Sequence, residues 1–382
     1  MQPTYKQGDT NMSEERPVTE TLVSRRDFVR KSALTAAALV AGVNSAGASN
    51  TTTPKPLSYN ENMEYRPLGR TGLMVSAVCL GGHWKRVNTM LKTPFDQEAY
   101  SGEEINHAEF MKNRSDVITR CLEAGINYVD ACNGAEIMVY SHALKGRRDK
   151  MYLGYSWHLR ESRYPEWRSA KKLLEGLDLG LRDAKLDYVD LWRISLPQQQ
   201  IGTVEELEPI EHGAVEALEA AKKQGKVRFT GISTHNRVWL KSMIQDYPQH
   251  MEVVLFPYTA STKTLPYDSL FTTVKKNNVG VFGIKPFADN NLFQGDSAPG
   301  SPAAHEDNGR ARLAIRYILS NPAISAPIPG LISTAQVDNV AKAVMEWKKL
   351  GNKDLSGLGK ATDQMWAKLP SHYEWLRDWQ HV

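Results

Sequence analysis

The chain has 382 residues, 41% of them hydrophobic and 24% charged, with a net charge of +4 and a pI near 8.7. That length allows one large core or two modest ones, and the composition carries no collagen-like, low-complexity or disulfide-scaffold bias. The pairs Lys171-Lys172, Lys222-Lys223 and Lys275-Lys276 fall on helical stretches and read as solvated faces, so nucleic acid is not an expected partner.

Residues 1–48 read as a targeting segment. Arg25-Arg26 precede an Ala-rich apolar run, Ser32–Val43, and Ala46-Gly47-Ala48 supplies a small-x-small cleavage pattern. The run is too short for a membrane span of about 20 residues. The arrangement resembles a bacterial twin-arginine (Tat) export signal. It implies passage through the Tat translocon, cleavage after Ala48, a periplasmic or other extracytoplasmic location, and no stable membrane insertion afterwards. Residues 49–62 form a Ser/Thr/Pro/Asn linker. Cys79, Cys121 and Cys132 are odd in number and suit no zinc spacing, so buried free thiols are expected.

From Met63 the chain opens with a short hairpin over 63–76, turning at Gly69–Gly72. Val75–Leu80 then reads as a buried strand running into Gly81-Gly82-His83-Trp84, followed by a long polar insertion over 85–113 suited to a lid or docking feature. Helical and strand patterns alternate from there. The helices are Val117–Ala124, Glu136–Lys145, Trp167–Asp183, His212–Gln224, Arg237–Asp246, Ser269–Asn277, Ala311–Leu319 and Gln336–Trp347. The strands between them are Ile126–Ala131, Met151–Tyr155, Tyr188–Ile194, Val227–Ile232, Val253–Phe256, Val279–Ile284 and Ile324–Ile328. Continuous apolar strands alternating with helices predict a parallel sheet. Eight such units predict an α/β fold, a (β/α)8 TIM barrel over 63–350 with an N-terminal β-hairpin. Gly81-Gly82-His83-Trp84 is not a G-x-G-x-x-G loop, which argues against an open dinucleotide-binding sheet. Residues 351–382, with Trp366, Trp375 and Trp379, form a C-terminal helical extension expected to pack across a barrel face or a partner.

In such barrels chemistry occurs at the carboxyl ends of the strands. The residues there include His83, Asp130, Tyr155, His158, Arg193, Ser195, Ser233, His235, Lys285 and Pro286. The histidines are scattered one per loop, with no metal-ligand spacing along the chain, and no metal is expected.

At these residues the chain resembles the aldo/keto reductases. Tyr65–Ser76 is similar to that family's N-terminal hairpin, and Gly125–Asp130 to its helix-to-strand step. Glu136 falls where the family starts its second helix with an acid. Leu186–Leu191, Gly225–Ser233, Asn321-Pro322 and Ile328-Pro329-Gly330 follow in the family's order. The resemblance implies a nicotinamide cofactor, NADP with NAD as the alternative, lying across the barrel mouth, and a small-molecule carbonyl or alcohol substrate such as a sugar or polyol. It implies cofactor contacts from Ser233, Lys285, Pro286, Gly330, Ser333, Gln336 and Asn339, the last four around a loop entering a helix N-terminus suited to phosphate or ribose.

The family's catalytic set is Asp, Tyr, Lys and His, the Tyr giving a proton to the carbonyl oxygen under the influence of the Lys. Of these the chain keeps Asp130. Asn133-Gly134-Ala135 stands where the Tyr belongs, Ser156 in place of the Lys and Ser195 in place of the His. Gln336 replaces an Arg used for a 2′-phosphate. Lys285, Tyr155 and His158 are the candidate substitutes, with Asp130 pairing with Lys285 or Arg193 or acting as a base. The resemblance thus reads as an exported oxidoreductase with a non-standard catalytic set. A barrel serving as a binding or partner protein, and redox-neutral isomerase or lyase chemistry at Asp130 and Lys285, are the alternatives.

Overall fold

The structure is a computed structural model. It describes residues 55–92, 103–196, 204–298, 300–346 and 349–382. The export-signal reading over 1–48 and part of the 85–113 insertion lie outside these residues.

The hairpin comes first. Strands β1 (Tyr65–Pro67) and β2 (Met74–Ser76) pair antiparallel, joined by a 3-10 turn at Gly69–Thr71. Gly69 has φ +53, and a Cβ there would lie 2.2 Å from the Gly280 nitrogen, so the turn presses directly on the barrel backbone. Arg70 donates to the carbonyl oxygens of Asn277 and Met251. Leu68, Leu73 and Val75 of the hairpin pack with Tyr128, Leu191, Leu255 and Phe282 in one buried cluster. The hairpin therefore plugs the end of the barrel opposite the strand carboxyl termini, and apolar burial holds it there.

Eight parallel strands follow: β3 (Leu80–Gly81), β4 (Tyr128–Ala131), β5 (Tyr152–Tyr155), β6 (Val189–Ser195), β7 (Val227–Ser233), β8 (Val253–Pro257), β9 (Gly280–Ile284) and β10 (Ala326–Ile328). They pair in sequence order. A parallel bridge between Gly81 and Gly330 closes the ring, supported by Cys79 N–H to Pro327 O at 3.0 Å and Gly81 N–H to Pro329 O at 2.7 Å. This is the (β/α)8 barrel expected from the alternation of patterns. The first strand is shorter than read, because Val75 and Ser76 belong to the hairpin. Ser76 Oγ donates to Val78 O at 2.7 Å, turning the chain between the two strands.

The helices outside the ring are α1 (Val87–Leu91), α2 (Ala108–Glu123), α3 (Gly134–Ala143), α4 (Ala170–Ala184), α5 (Val204–Lys223), α6 (Arg237–Asp246), α7 (Leu270–Lys276), α8 (Ala304–Leu319), α9 (Thr334–Met345) and α10 (Asn352–Ala367). The C-terminal extension continues past α10 into a 3-10 segment, Ser371–Trp379. Trp379 is buried, stacks on Phe256 with ring centroids 5.4 Å apart, and donates to His235 O at 2.9 Å. The extension therefore packs on the barrel's own face at the strand carboxyl ends. Among the described residues no helix is long and apolar enough to cross a membrane.

Candidate active site

Asp130 ends β4 and is almost fully buried. Arg193, from β6, grips it with both prongs: Nε donates to Oδ1 at 3.1 Å and Nη2 to Oδ2 at 2.5 Å. The third arm, Nη1, donates to Ser233 Oγ at 3.1 Å, and the Tyr128 hydroxyl donates to Asp130 Oδ1 at 3.1 Å. Gly154 makes the arrangement fit, since a Cβ there would lie 1.9 Å from the Tyr128 hydroxyl and 2.7 Å from Asp130 Oδ1. Burial is the largest influence on Arg193 and lowers its pKa, but the Asp130 charge, its hydrogen bonds and the neighbouring Cys132 and Tyr128 together hold the guanidinium above its ordinary value. Of the two cations weighed as partners for Asp130, the structure selects Arg193.

Ser156 and Ser195 are tied to a residue that sequence reading missed. Glu161, 2% exposed, accepts from Ser156 Oγ at 2.7 Å, Ser195 N–H at 2.7 Å, Trp157 N–H at 2.8 Å and Trp192 Nε1 at 3.3 Å. Burial raises its pKa against these donors. The carboxylate locks the loops after β5 and β6 together behind the cavity wall. Its only signal in the sequence is an acid five residues beyond Ser156 in a stretch with no helical or strand pattern.

Of the candidate proton donors, Tyr155 is corrected. Its ring points outward to the helix layer, where a Cβ on Gly180 would lie 2.0 Å from the hydroxyl. That hydroxyl is buried without a hydrogen-bond partner and does not reach the cavity. His158 does reach it. Its Nδ1 lies 2.8 Å from Cys132 O, and burial lowers its pKa.

Asp130, Arg193, Ser195, Ser233 and His158 line one end of a cavity of about 750 Å³ at the barrel mouth. Its middle is formed by Lys285 and Pro286, and its far end by Gly330, Ser333, Gln336 and Asn339. All the residues expected to contact the cofactor therefore share one cavity with Asp130. Lys285 has φ +57, a left-handed conformation that costs energy outside glycine. It aims its ammonium at the C-terminal segment, 5.4 Å from the Tyr373 ring centre and 5.7 Å from that of Trp375. Burial lowers its pKa to about 8, with Asp289 opposing the shift. Arg163 adds a further cation to the lining. Trp375 stacks on His235 with centroids 3.7 Å apart. Lys85 Nζ meets Asp289 Oδ1 at 2.6 Å and Arg86 donates to Gly295 O at 2.7 Å, so the start of the long insertion is strapped to the loop after β9.

At the far end Ser333 caps α9, its side chain accepting from Gln336 N–H at 3.2 Å. Gln336 Oε1 accepts from Ile332 N–H at 2.9 Å, which fixes the loop. Arg312 donates to Asn339 Oδ1 at 2.5 Å, bringing to that end a guanidinium that the loop sequence alone does not supply.

One cluster went unseen in the sequence. His83 Nδ1 lies 3.0 Å from Glu136 Oε1, and Cys132 Sγ lies 3.7 Å from each of these two atoms. Spacing along the chain concealed it because the members come from two strand ends and the first turn of α3.

A sequence profile described as "Aldo/keto reductase family" matches residues 103–311, more than half the chain, and the chain belongs to that family. It is 28% identical over 202 residues to the L-galactose dehydrogenase of Arabidopsis thaliana, a match covering 48% of this chain and 61% of that protein. It is 22% identical over 275 residues to the L-glyceraldehyde 3-phosphate reductase of Escherichia coli (strain K12), covering 67% of this chain and 71% of that one. Among solved structures it resembles the holo form of aldo-keto reductase AKR11C1 from Bacillus halodurans, with 22% identity, a TM-score of 0.54, and coverage of 78% of this chain and 96% of that one. An aldo/keto reductase from Klebsiella pneumoniae in complex with NADP and acetate matches with 19% identity, a TM-score of 0.54, and coverage of 78% and 94%. At these identities the structural likeness establishes the fold.

Proposed function

We propose that the protein is an exported NADP-dependent oxidoreductase acting on a sugar, polyol or related small carbonyl or alcohol. The reading is carried by the continuity of the cavity, which joins the Asp130–Arg193–Ser233 group to the N-terminus of α9 past Lys285. The residues present fit a dinucleotide. Lys285 and Arg163 supply positive charge along the cavity, and the α9 terminus offers backbone N–H groups to an anion. A nicotinamide bound there would supply or accept hydride. Gln336 is neutral, and the Arg312–Asn339 pair favours the phosphorylated cofactor over NAD; the Klebsiella relative is a complex with NADP. The names of the two curated relatives support a sugar-like substrate.

The chain's own residues then do the following. Arg193 holds Asp130 in place with two hydrogen bonds, and Ser233 is aligned by the same guanidinium. Ser156 and Ser195 stand where relatives use Lys and His, and both are occupied by Glu161, so proton movement is assigned to the His158 side of the cavity. The Lys85–Asp289 pair and the Trp375–His235 stack close the mouth and shield the reaction from water. Export rests on Arg25-Arg26 and the apolar run behind them, and a strapped cavity suits a cofactor that travels with the folded protein.

The test is to purify the folded protein, denature it and look for NADP or NAD by absorbance and mass. No co-purified cofactor, and none bound on titration, would overturn the oxidoreductase reading in favour of a binding barrel. For export, an Arg25→Lys/Arg26→Lys variant should stay in the cytoplasm; its arrival outside would refute the signal.

A further inference from the structure

We propose that His83, Cys132 and Glu136 form a binding site for one zinc-type divalent ion at the cavity wall. The three side chains offer imidazole nitrogen, cysteine sulfur and carboxylate oxygen within 4.8 Å of one another. Their mutual separations are 3.0 Å for His83 Nδ1 to Glu136 Oε1, and 3.7 Å for Cys132 Sγ to His83 Nδ1 and to Glu136 Oε1. A tetrahedral zinc with ordinary Zn–N, Zn–O and Zn–S bonds places such ligands about 3.4 to 3.6 Å apart. The triangle is already close to that size; Cys132 Sγ also lies 3.4 Å from His83 Nε2, so the imidazole turns to present one nitrogen as an ion enters.

The surroundings are built to hold the ligands. Glu136 is fully buried, and its second oxygen, Oε2, accepts from the Cys132 backbone N–H at 2.7 Å, which leaves Oε1 turned to the His83 and Cys132 side chains. The carboxylate can lie there only because Gly82 has no Cβ: one would sit 1.8 Å from Oε2. The Tyr140 hydroxyl donates to Gly81 O at 3.0 Å and fixes the same turn. Support of this kind behind the ligands is what fixes a metal site's geometry. His158 holds the Cys132 carbonyl from the other side.

Imidazole, thiolate and carboxylate together favour zinc over calcium or magnesium. Three protein ligands rather than four is the pattern of a catalytic ion with one position left for water or substrate. Here His83 and Cys132 line the cavity while Glu136 lies behind them, so the fourth position is on the cavity side, near Asp130. The site's purpose, though not its existence, rests on the oxidoreductase reading. There His83, Cys132 and Glu136 would hold an ion able to take up negative charge on the substrate oxygen as hydride leaves or reaches the attached carbon. The two electrons would be matched at the nicotinamide, and the oxygen's proton would be exchanged on the His158 side of the cavity. That would replace the phenol that this chain lacks.

The experiment is metal analysis and Co²⁺ titration of the purified full-length protein after chelation. One ion per chain is expected, the Co²⁺ form showing a thiolate-to-cobalt charge-transfer band and tetrahedral visible absorption. His83→Ala, at a partly exposed residue, should weaken binding strongly with an unchanged circular dichroism spectrum. Cys132→Ser should abolish the charge-transfer band. Binding well below one ion per chain, a Co²⁺ spectrum without the thiolate band, or full binding by both variants would overturn the proposal. Cofactor content measured on the same samples separates the two readings: NADP without metal refutes the site alone, and metal without cofactor refutes the oxidoreductase alone.

Discussion

Asp130 and Arg193 are each nearly out of contact with water, and each satisfies the other. Two charges taken from water are tolerable only as a pair, and removing one partner leaves the other buried and uncompensated. Arg193→Met should therefore cost about 3–5 kcal/mol of stability, and Asp130→Asn with Arg193→Met should cost less than the sum of the single changes; urea unfolding of the three variants reads this directly. The acid at the end of β4 was legible in the sequence, and its partner was narrowed to Arg193 or Lys285 but not chosen. Asp130 sits in a recognisable helix-to-strand step, whereas Arg193 is one polar letter inside an apolar strand, and only the ring's closure shows that the two face each other.

Lys285 is the second residue whose environment has a measurable sign. Burial lowers its pKa from 10.5 to about 8, so the folded protein sheds a proton that the unfolded chain keeps. Between about pH 8 and 10.5 the unfolded state binds more protons, and the stability contributed at this residue rises with pH across that window. Below about pH 8 both states are charged, and Lys285 weakens the fold by a constant amount. Relative to the wild type, Lys285→Met should lose the rise between the two limits, measured on cofactor-free protein by denaturant midpoints at either end. An anionic ligand beside Lys285 raises its pKa again and flattens the profile.

Among the elements, those with one strong pattern were read well. The helix Arg237–Asp246 has the same bounds in sequence and structure, because Asn236 caps it by accepting from Trp239 N–H at 3.0 Å. Helices whose first turns are polar were read short. Ala108–Glu123 begins nine residues before Val117, the start read from the apolar pattern, and Val204–Lys223 begins eight residues before His212 and runs through Pro209. The resemblance singled out Ser156 and Ser195, but Glu161, which engages both, carries no pattern of its own. At the head of α3 the fit between Gly82 and Glu136 gives a prediction. Gly82→Ala should displace the carboxylate and cost about 1–3 kcal/mol, detected as a lower thermal midpoint together with loss of the His83–Glu136 contact.

For the molecule as a whole, the ring order was legible because eight apolar strands alternate with helices, and right-handed crossovers leave few other arrangements. The C-terminal extension was legible as helical and bound for a barrel face or a partner; its position over the strand carboxyl ends depends on Trp375 and Trp379 finding His235 and Phe256, which no local pattern encodes. The feature with the widest consequence is the joint between Gly81 and Gly330. It is made of two glycines and two backbone hydrogen bonds, and a Cβ on Gly330 would lie 2.4 Å from His83 O. Contacts so distant along the chain form late in folding, so this joint is the last to shut and the first to part. A dinucleotide reaching from Asp130 to Ser333 touches both sides of it and would act as a clasp. Hydrogen–deuterium exchange at the Cys79 and Gly81 amides should then slow when cofactor is added, while the amides of β6 and β7 on the far side of the ring keep their rates: opening of the barrel along this line, rather than global unfolding, would set how long the bound molecule stays.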